Sequence, residues 1–310
     1  MRFSEAVVKT TQQLEAANLS YGQGFQNAED EALRIVYAAS SADFPECLEK
    51  DHPHDPVLND DDASNLQEIT RERILSRKPL AYILKEAWFS GQRFYIDERA
   101  IIPRSYFAEW IPDQFRPWVD PDQVETVLDL CCGSGCIAIC CALAFPNSTV
   151  LASDISGDAL DVASRNIADY GLQERVRLNK GNMFEGIDQG FDLIVCNPPY
   201  VSTDRFRTLP PEYRKEPDIA FHAGEDGLDF MLEMLIESGK YLTPNGIIVV
   251  ESGTASERLE VLLDDMPFIW LSTEFDEKAL FLLEAGQLKS VRSKIIQLLE
   301  ITKPVSVNND

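Results

Sequence analysis

The run Asn197-Pro198-Pro199-Tyr200 concentrates more chemistry than any other four residues of this chain. Two successive prolines give up two backbone N–H donors, so the carbonyls at this point are left unpaired and aimed outward. Asn197 adds a side-chain oxygen beside them, and Tyr200 adds a flat aromatic face. That set suits a planar NH₂ group: an acceptor for each hydrogen and a ring against the plane. The plainer reading is an Asn-Pro turn that closes a strand.

Upstream stands Asp129-Leu130-Cys131-Cys132-Gly133-Ser134-Gly135-Cys136, which reads as a strand end followed by a helix. Gly133 and Gly135 let the backbone turn tightly and approach a ligand, while the helix N-terminus offers free N–H groups. Taken alone, the pattern fits a nucleotide-type site and a tight structural turn equally well. Its spacing is not that of a dinucleotide G-x-G-x-x-G, and no Lys-Ser/Thr follows as a P-loop requires. Asp154, closing the next strand, can accept hydrogen bonds from both hydroxyls of a ribose. It can equally cap the helix opened by Ser156 and Gly157. After a third strand comes Gly181-Asn182-Met183-Phe184, where a side-chain amide and an apolar residue suit the edge and face of an adenine.

These residues need a scaffold that brings strand ends together. From residue 122 onward, short apolar runs at 124–130, 149–153, 175–179, 191–196, 246–251, 268–272 and 279–283 read as strands. Helical patterns at 136–145, 157–170, 228–241 and 256–264 lie between most of them. Such alternation implies βαβ units and a largely parallel sheet, whose ligands bind beyond the carboxyl ends of the strands. Before residue 100 the patterns are helical instead. Ala6, Val7, Leu14 and Leu19 recur at helix-like spacing with Ser4 as the expected N-cap, a second run covers 28–39 after Asn27, and a third covers 63–77 and stops before Pro79. Residues 43–62, with eight acids against one Lys, three prolines and the triplet Asp60-Asp61-Asp62, read as a solvated loop. The segment 88–102 reads as a hairpin-like connector.

Composition narrows the function. The 310 residues include 28 Lys and Arg against 52 Asp and Glu, a net charge of −24. A chain this acidic repels phosphate backbones and attracts basic partners, which argues against direct DNA binding. Cys131, Cys132, Cys136, Cys140 and Cys141 crowd together while Cys47 and Cys196 stand apart, with neither a disulfide framework nor the separated C-x-x-C pairs of a zinc site. They are expected to be small buried thiols with no metal. The N-terminus lacks an apolar h-region and no stretch spans a membrane, so the expectation is a reduced cytoplasmic protein.

In this order, Asp129–Gly135, Asp154, 181–184 and 197–200 resemble the class I S-adenosylmethionine-dependent methyltransferases, and the Asn-Pro-Pro-Tyr run resembles those that methylate planar amide or exocyclic amino nitrogens. The similarity is greater to the glutamine N(5)-methyltransferases, which place a small helical domain before the catalytic one; residues 77–83 and 101–104 resemble that family's interdomain segment. Ala87-Trp88-Phe89, Asp97-Glu98-Arg99, Pro103-Arg104-Ser105 and the stretch 209–217 are similar to the branch acting on the third protein of the large ribosomal subunit rather than on release factors. So is Cys131, where the release-factor branch has the first Gly of its loop. Tyr106 in place of a Pro, the long acidic loop around Asp60 and the tail after Leu288 depart from the branch pattern.

The resemblance implies an α/β fold, a Rossmann-like sheet of seven strands with the last antiparallel, preceded by a small all-α domain. The division is 1–86 for a helical substrate-recognition domain, 87–104 for the connector, 105–286 for the methyltransferase domain and 287–310 for a C-terminal helix and tail. S-adenosylmethionine is the implied cofactor, held by Asp129, Cys131, Cys132, Gly133, Ser134, Gly135, Asp154, Asn182, Met183 and Asn197. Asn197, Pro198, Pro199 and Tyr200 would bind the glutamine amide, with Asn197, Pro198 and Tyr200 in the transfer itself. The implied substrate is a basic ribosomal protein of the maturing large subunit. Release-factor glutamine, DNA adenine N6 and a non-catalytic ribosome-assembly role are the alternatives. Leu288, Val291, Ile295 and Leu298 give the tail an apolar helical stripe, with Lys289, Arg292 and Lys294 opposite, that either docks on the catalytic domain or joins a dimer.

Overall fold

The computed structural model describes residues 1–41, 55–264 and 266–302. Cys47 and most of the acidic segment expected as a loop lie outside them. Among the described residues the chain opens with helices α1 (Phe3–Ala16), α2 (Ala28–Ala39), α3 (Asp60–Ser76) and α4 (Leu80–Leu84). Asn27 caps α2 as expected, its side chain accepting from Asp30 N at 2.9 Å. Two helix starts differ from the sequence expectation. Arg2, not Ser4, is the N-cap of α1; Ser4 instead gives its N–H and its hydroxyl to the two oxygens of Asp55, each at 2.9 Å. Asp60-Asp61-Asp62 forms the first turn of α3 rather than a loop. Asn59 accepts from Asp62 N while the Asp62 carboxylate returns to Asn59 N, and acids at the positive end of a helix are favourable. Leu14, Ile35, Val36, Leu66 and Leu80 form the core of this part, beside a buried ion pair of Arg73 with Glu31.

The connector begins with a hairpin of β1 (Ala87–Phe89) and β2 (Gln92–Phe94), closed by Ser90 and Gly91, both at positive φ. After α5 (Phe107–Trp110) come β3 (Thr126–Leu130), α6 (Cys136–Ala144), β4 (Thr149–Asp154), α7 (Gly157–Asp169), β5 (Val176–Lys180) and β6 (Phe191–Cys196). The chain continues through α8 (Thr203–Arg207), α9 (Asp229–Ser238), β7 (Leu242–Glu251), α10 (Ser256–Leu262), β8 (Ile269–Leu271), β9 (Leu280–Glu284) and α11 (Ala285–Thr302). The strands β3 to β9 form one seven-stranded sheet in the order β5-β4-β3-β6-β7-β9-β8, with β9 antiparallel to both its neighbours. This is the class I methyltransferase sheet the sequence leads one to expect.

Alternation along the strands sends side chains to two cores. Val127, Val150, Val195 and Val249 pack with α6 and α7 on one face; Leu128, Ile194, Ile248 and Phe281 pack with α9, α10 and α11 on the other. Leu288 and Ile295 of α11 are buried in that second core, with α11 against α9 and β7 of the same chain. Among the described residues no helix is long and apolar enough to cross a membrane.

Register decides where the chemistry goes. Leu130 pairs with Ser153 on one side and with Cys196 on the other, and Cys196 pairs with Val250. The next residue of each strand or loop is therefore Cys131, Asp154, Asn197 or Glu251, and the four stand side by side along the carboxyl edge. The order also reverses between β3 and β6, the switch point where open α/β sheets leave a crevice.

Candidate functional site

A cavity of about 1220 Å³ opens along that edge. It exceeds the usual room for one small molecule, so it can accommodate a cofactor with a second group beside it. Cys131, Cys132, Gly133, Ser134, Asp154, Asn182, Met183, Asn197, Pro198, Pro199 and Tyr200 all line it, together with Glu251. Asp129 and Gly135 stand behind the wall.

The loop between β3 and α6 bends through Cys131 at φ 61, Gly133 at φ 53 and Gly135 at φ 77, the left-handed region that glycine adopts without cost. Gly135 also lets α7 approach, since a Cβ there would lie 3.1 Å from that of Ala163. As the N-cap of α6, Gly135 has no side chain to offer; Asp129 supplies one from β3, accepting from Ala138 N at 2.9 Å. The other Asp129 oxygen is buried without a partner among the described residues, and burial pushes this carboxyl well above the usual range. Asn166 of α7 braces the loop from outside, donating to Ser134 O at 2.9 Å and holding the backbone of Tyr95 in the connector.

Asp154 accepts from Gly133 N and from Ser156 N, both at 2.9 Å, so it clamps the loop to β4. Ser156, not Asp154, caps α7, accepting from Ala159 N. A carboxylate has about four lone-pair sites, so each Asp154 oxygen retains acceptor capacity toward the cavity. Burial raises its pKa and these backbone donors oppose the rise. Asn182 is exposed beside Met183, which holds φ 51; Phe184 turns away into the core, stacked on Tyr241 at 4.4 Å.

At the turn after β6, no donor among the described residues engages the Asn197 carboxamide or the Pro198 carbonyl, which leaves both as acceptors on the cavity wall. Tyr200 packs its ring over the Gly253 backbone, where a Cβ would come within 2.6 Å of it. Its hydroxyl faces Glu251 Oε1 at 3.4 Å, and Glu251 Oε2 accepts from Ser105 Oγ at 2.5 Å and from Tyr106 N at 3.2 Å. Burial raises the Tyr200 hydroxyl pKa and pushes the Glu251 carboxyl up to about 7. Sequence reasoning missed Glu251. The signal that singled out Asp154, an acid at the last position of a strand in a doubly wound sheet, applies to it equally.

The segment after Tyr200 roofs the cavity and is tied to the helical part by two more buried acids that the motifs did not reveal. Glu212 accepts from Ser20 N at 3.1 Å and pairs with Arg77 at 2.6 Å. Glu216 accepts from Gln23 Nε2 at 2.7 Å, Ile102 N at 3.0 Å and Arg104 at 2.8 Å. Ser20, Tyr21, Gly22 and Gln26 thereby join the cavity wall. The mouth carries an apolar rim of Ile155, Ile219 and Phe275, the last 71% exposed.

This donor set fits S-adenosylmethionine. A glycine turn without side chains, backbone N–H groups at a helix start, a carboxylate with spare lone pairs and an amide beside an apolar side chain match an amino acid, a ribose and an adenine. Among the described residues, Cys132, Cys136, Cys140, Cys141 and Cys196 are buried free thiols whose pKa values burial raises.

Residues 117–208 match the family model described as "Methyltransferase small domain". The chain is 41% identical over 283 residues to the ribosomal protein uL3 glutamine methyltransferase of Bordetella pertussis, covering 89% of this chain and 93% of that one. It is 42% identical over 262 residues to the protein of that name in Francisella tularensis subsp. tularensis, covering 84% and 82%. Against its counterpart in Neisseria meningitidis serogroup A, identity is 40% over 274 residues, covering 88% and 89%.

Proposed function

The chain belongs to the ribosomal protein uL3 glutamine methyltransferase family, and on that premise we propose that it transfers a methyl group from S-adenosylmethionine to the side-chain amide nitrogen of a glutamine in ribosomal protein uL3. The observation that carries the reading is the pair of unengaged acceptors, the Asn197 carboxamide oxygen and the Pro198 carbonyl, beside Tyr200 on the cavity wall.

An amide nitrogen is a poor nucleophile because its lone pair is delocalised into the carbonyl. Positioning, and acceptors that polarise its N–H bonds, must therefore do the work. In this reading Asn197 Oδ1 and the Pro198 carbonyl each take one amide hydrogen, Pro199 keeps the turn free of a competing N–H, and Tyr200 lies against the amide plane. S-adenosylmethionine, when bound, supplies an electrophilic methyl group. The loop Cys131-Cys132-Gly133-Ser134-Gly135 would hold its methionine part, Asp154 its ribose hydroxyls, and Asn182 and Met183 its adenine, with Asn197 between cofactor and substrate. Asp129 acts from behind, by fixing the start of α6. No base is needed before transfer, because the nitrogen becomes cationic as its new bond forms and then sheds a proton.

The helical domain faces the substrate in this reading, since Ser20, Tyr21, Gly22 and Gln26 line the same cavity as Tyr200. A net charge of −24 attracts a basic ribosomal protein at long range and repels RNA and DNA. The setting is the cytoplasm, before the glutamine is buried in the assembled subunit. The test is labelled methyl transfer to purified uL3, to release factor and to adenine-containing duplex DNA, side by side. Label on uL3 alone is expected; label only on release factor, on DNA or on nothing refutes the reading, the last pointing to a binding role.

A further inference from the structure

We infer that Glu251 is a positioning residue for the transfer: its carboxylate, held from the connector side, fixes the Tyr200 ring on which the substrate amide lies. This rests on the reading of 197–200 as the amide-binding turn.

Glu251 ends β7 next to Asn197 in the strand register, is 2% exposed and touches the cavity. A buried carboxylate must be supplied with donors. Ser105 Oγ and Tyr106 N occupy Oε2, and both come from the start of the catalytic domain, far from Glu251 in sequence. That grip keeps the carboxylate from turning and leaves Oε1 directed at the Tyr200 hydroxyl. On the other side the ring rests on Gly253, where no side chain fits, and the Tyr200 carbonyl sits where a Cβ on Gly227 would approach within 2.5 Å. The ring is thus held at its face, its backbone and its hydroxyl, and only the hydroxyl contact depends on a titratable group. The groups facing that carboxylate are Ser105, Tyr106, Tyr200 and the Arg104 guanidinium. Burial pushes Glu251 up to about 7 while those donors and Arg104 pull it down, so its acceptor form is gained as pH rises through neutrality.

The test uses the full chain, with Tyr200→Phe, Glu251→Gln and the double variant. Tyr200→Phe keeps the ring and removes only the hydroxyl, so it reports even if Glu251 variants fold poorly. Each single variant is expected to lower kcat on uL3 about tenfold, the value of one hydrogen bond to a charged group, with the S-adenosylmethionine Kd within about twofold of wild type. The double variant should be no slower than the worse single one. A wild-type kcat that rises through pH 7 should lose that limb in Glu251→Gln. Independently of any substrate, the ¹³Cζ resonance of Tyr200, assigned by its loss in Tyr200→Phe, should titrate near pH 7 and stop doing so in Glu251→Gln. Wild-type turnover by Tyr200→Phe, losses that multiply in the double variant, or a Tyr200 resonance indifferent to Glu251→Gln each overturn the proposal. Absence of label on uL3 with the wild-type protein would instead sink the substrate reading, while the resonance still decides the role of Glu251.

Discussion

Arg104 donates to Glu216 Oε2 at 2.8 Å, and on that one buried carboxylate three separated parts of the chain meet. Gln23 arrives from the helical part, Ile102 and Arg104 from the connector, and Glu216 itself from the segment that follows the Asn-Pro-Pro-Tyr turn. The Arg104 guanidinium also lies over the rings of Tyr213 and Phe221, at 5.4 and 5.5 Å. The site is consequently tied to the helical part through buried carboxylates, alongside the apolar packing of Ala81 and Tyr82 of α4 with Ala159 and Val162 of α7.

Glu216→Ala leaves the partly buried Arg104 guanidinium without its carboxylate and the Ile102 N–H without its acceptor, which costs about 1–3 kcal/mol. Urea unfolding should show that loss. A variant as stable as wild type would mean that Arg104 finds another acceptor and that the junction is looser than the hydrogen bonds imply.

Asp154→Ala removes the carboxylate that clamps Gly133 and faces the cavity. Calorimetry should find S-adenosylmethionine bound about 1–3 kcal/mol more weakly. Unchanged affinity would reduce Asp154 to a brace for the loop.

Asn197→Ala should fold and still bind cofactor yet transfer methyl groups at least about a hundredfold more slowly, the usual loss when a group aimed at developing charge is deleted. Single-turnover measurement with labelled cofactor checks it; wild-type turnover removes Asn197 from the mechanism.

Gly253→Ala places a methyl group 2.6 Å from the Tyr200 ring at a residue with φ 46. The ring must shift, and a displacement of order 1 Å in a positioning group costs about a hundredfold in rate. The expected signature is a fall in kcat with little change in cofactor affinity, and equal losses in both would place the damage in the fold instead.

Leu288→Ala opens a hole beneath α11, where Leu288 is buried against Gly239. A loss of about 2–5 kcal/mol is expected, with the mass in solution unchanged by light scattering. A change in mass without loss of stability would revive the dimer reading of the tail.

Most of the architecture is legible in the sequence because strand and helix periods are local. The runs from 124 to 283 predict all seven strands of the sheet, and Phe191–Cys196 matches residue for residue. Local reading errs where a side chain answers to something out of view. Asp60-Asp61-Asp62 looks like solvated loop until Asn59 and the helix dipole make it a helix start, and Ser4 looks like a cap until Asp55 takes its hydrogen bonds. The motif residues Cys131, Asp154, Asn197 and Tyr200 are legible because proline, glycine and a strand-terminal acid carry their constraint in the backbone. What only the tertiary structure decides is adjacency. Strand register sets Glu251 beside Asn197, and burial then forces its carboxylate onto Ser105, Tyr106 and Tyr200. Glu212 and Glu216 stand in the stretch 209–217 that resembles the branch, but their part is unread until the fold removes them from water and, among the described residues, sets donors of the helical part and the connector on them. Periodicity is a property of neighbours in the chain, whereas desolvation and pairing are properties of neighbours in space.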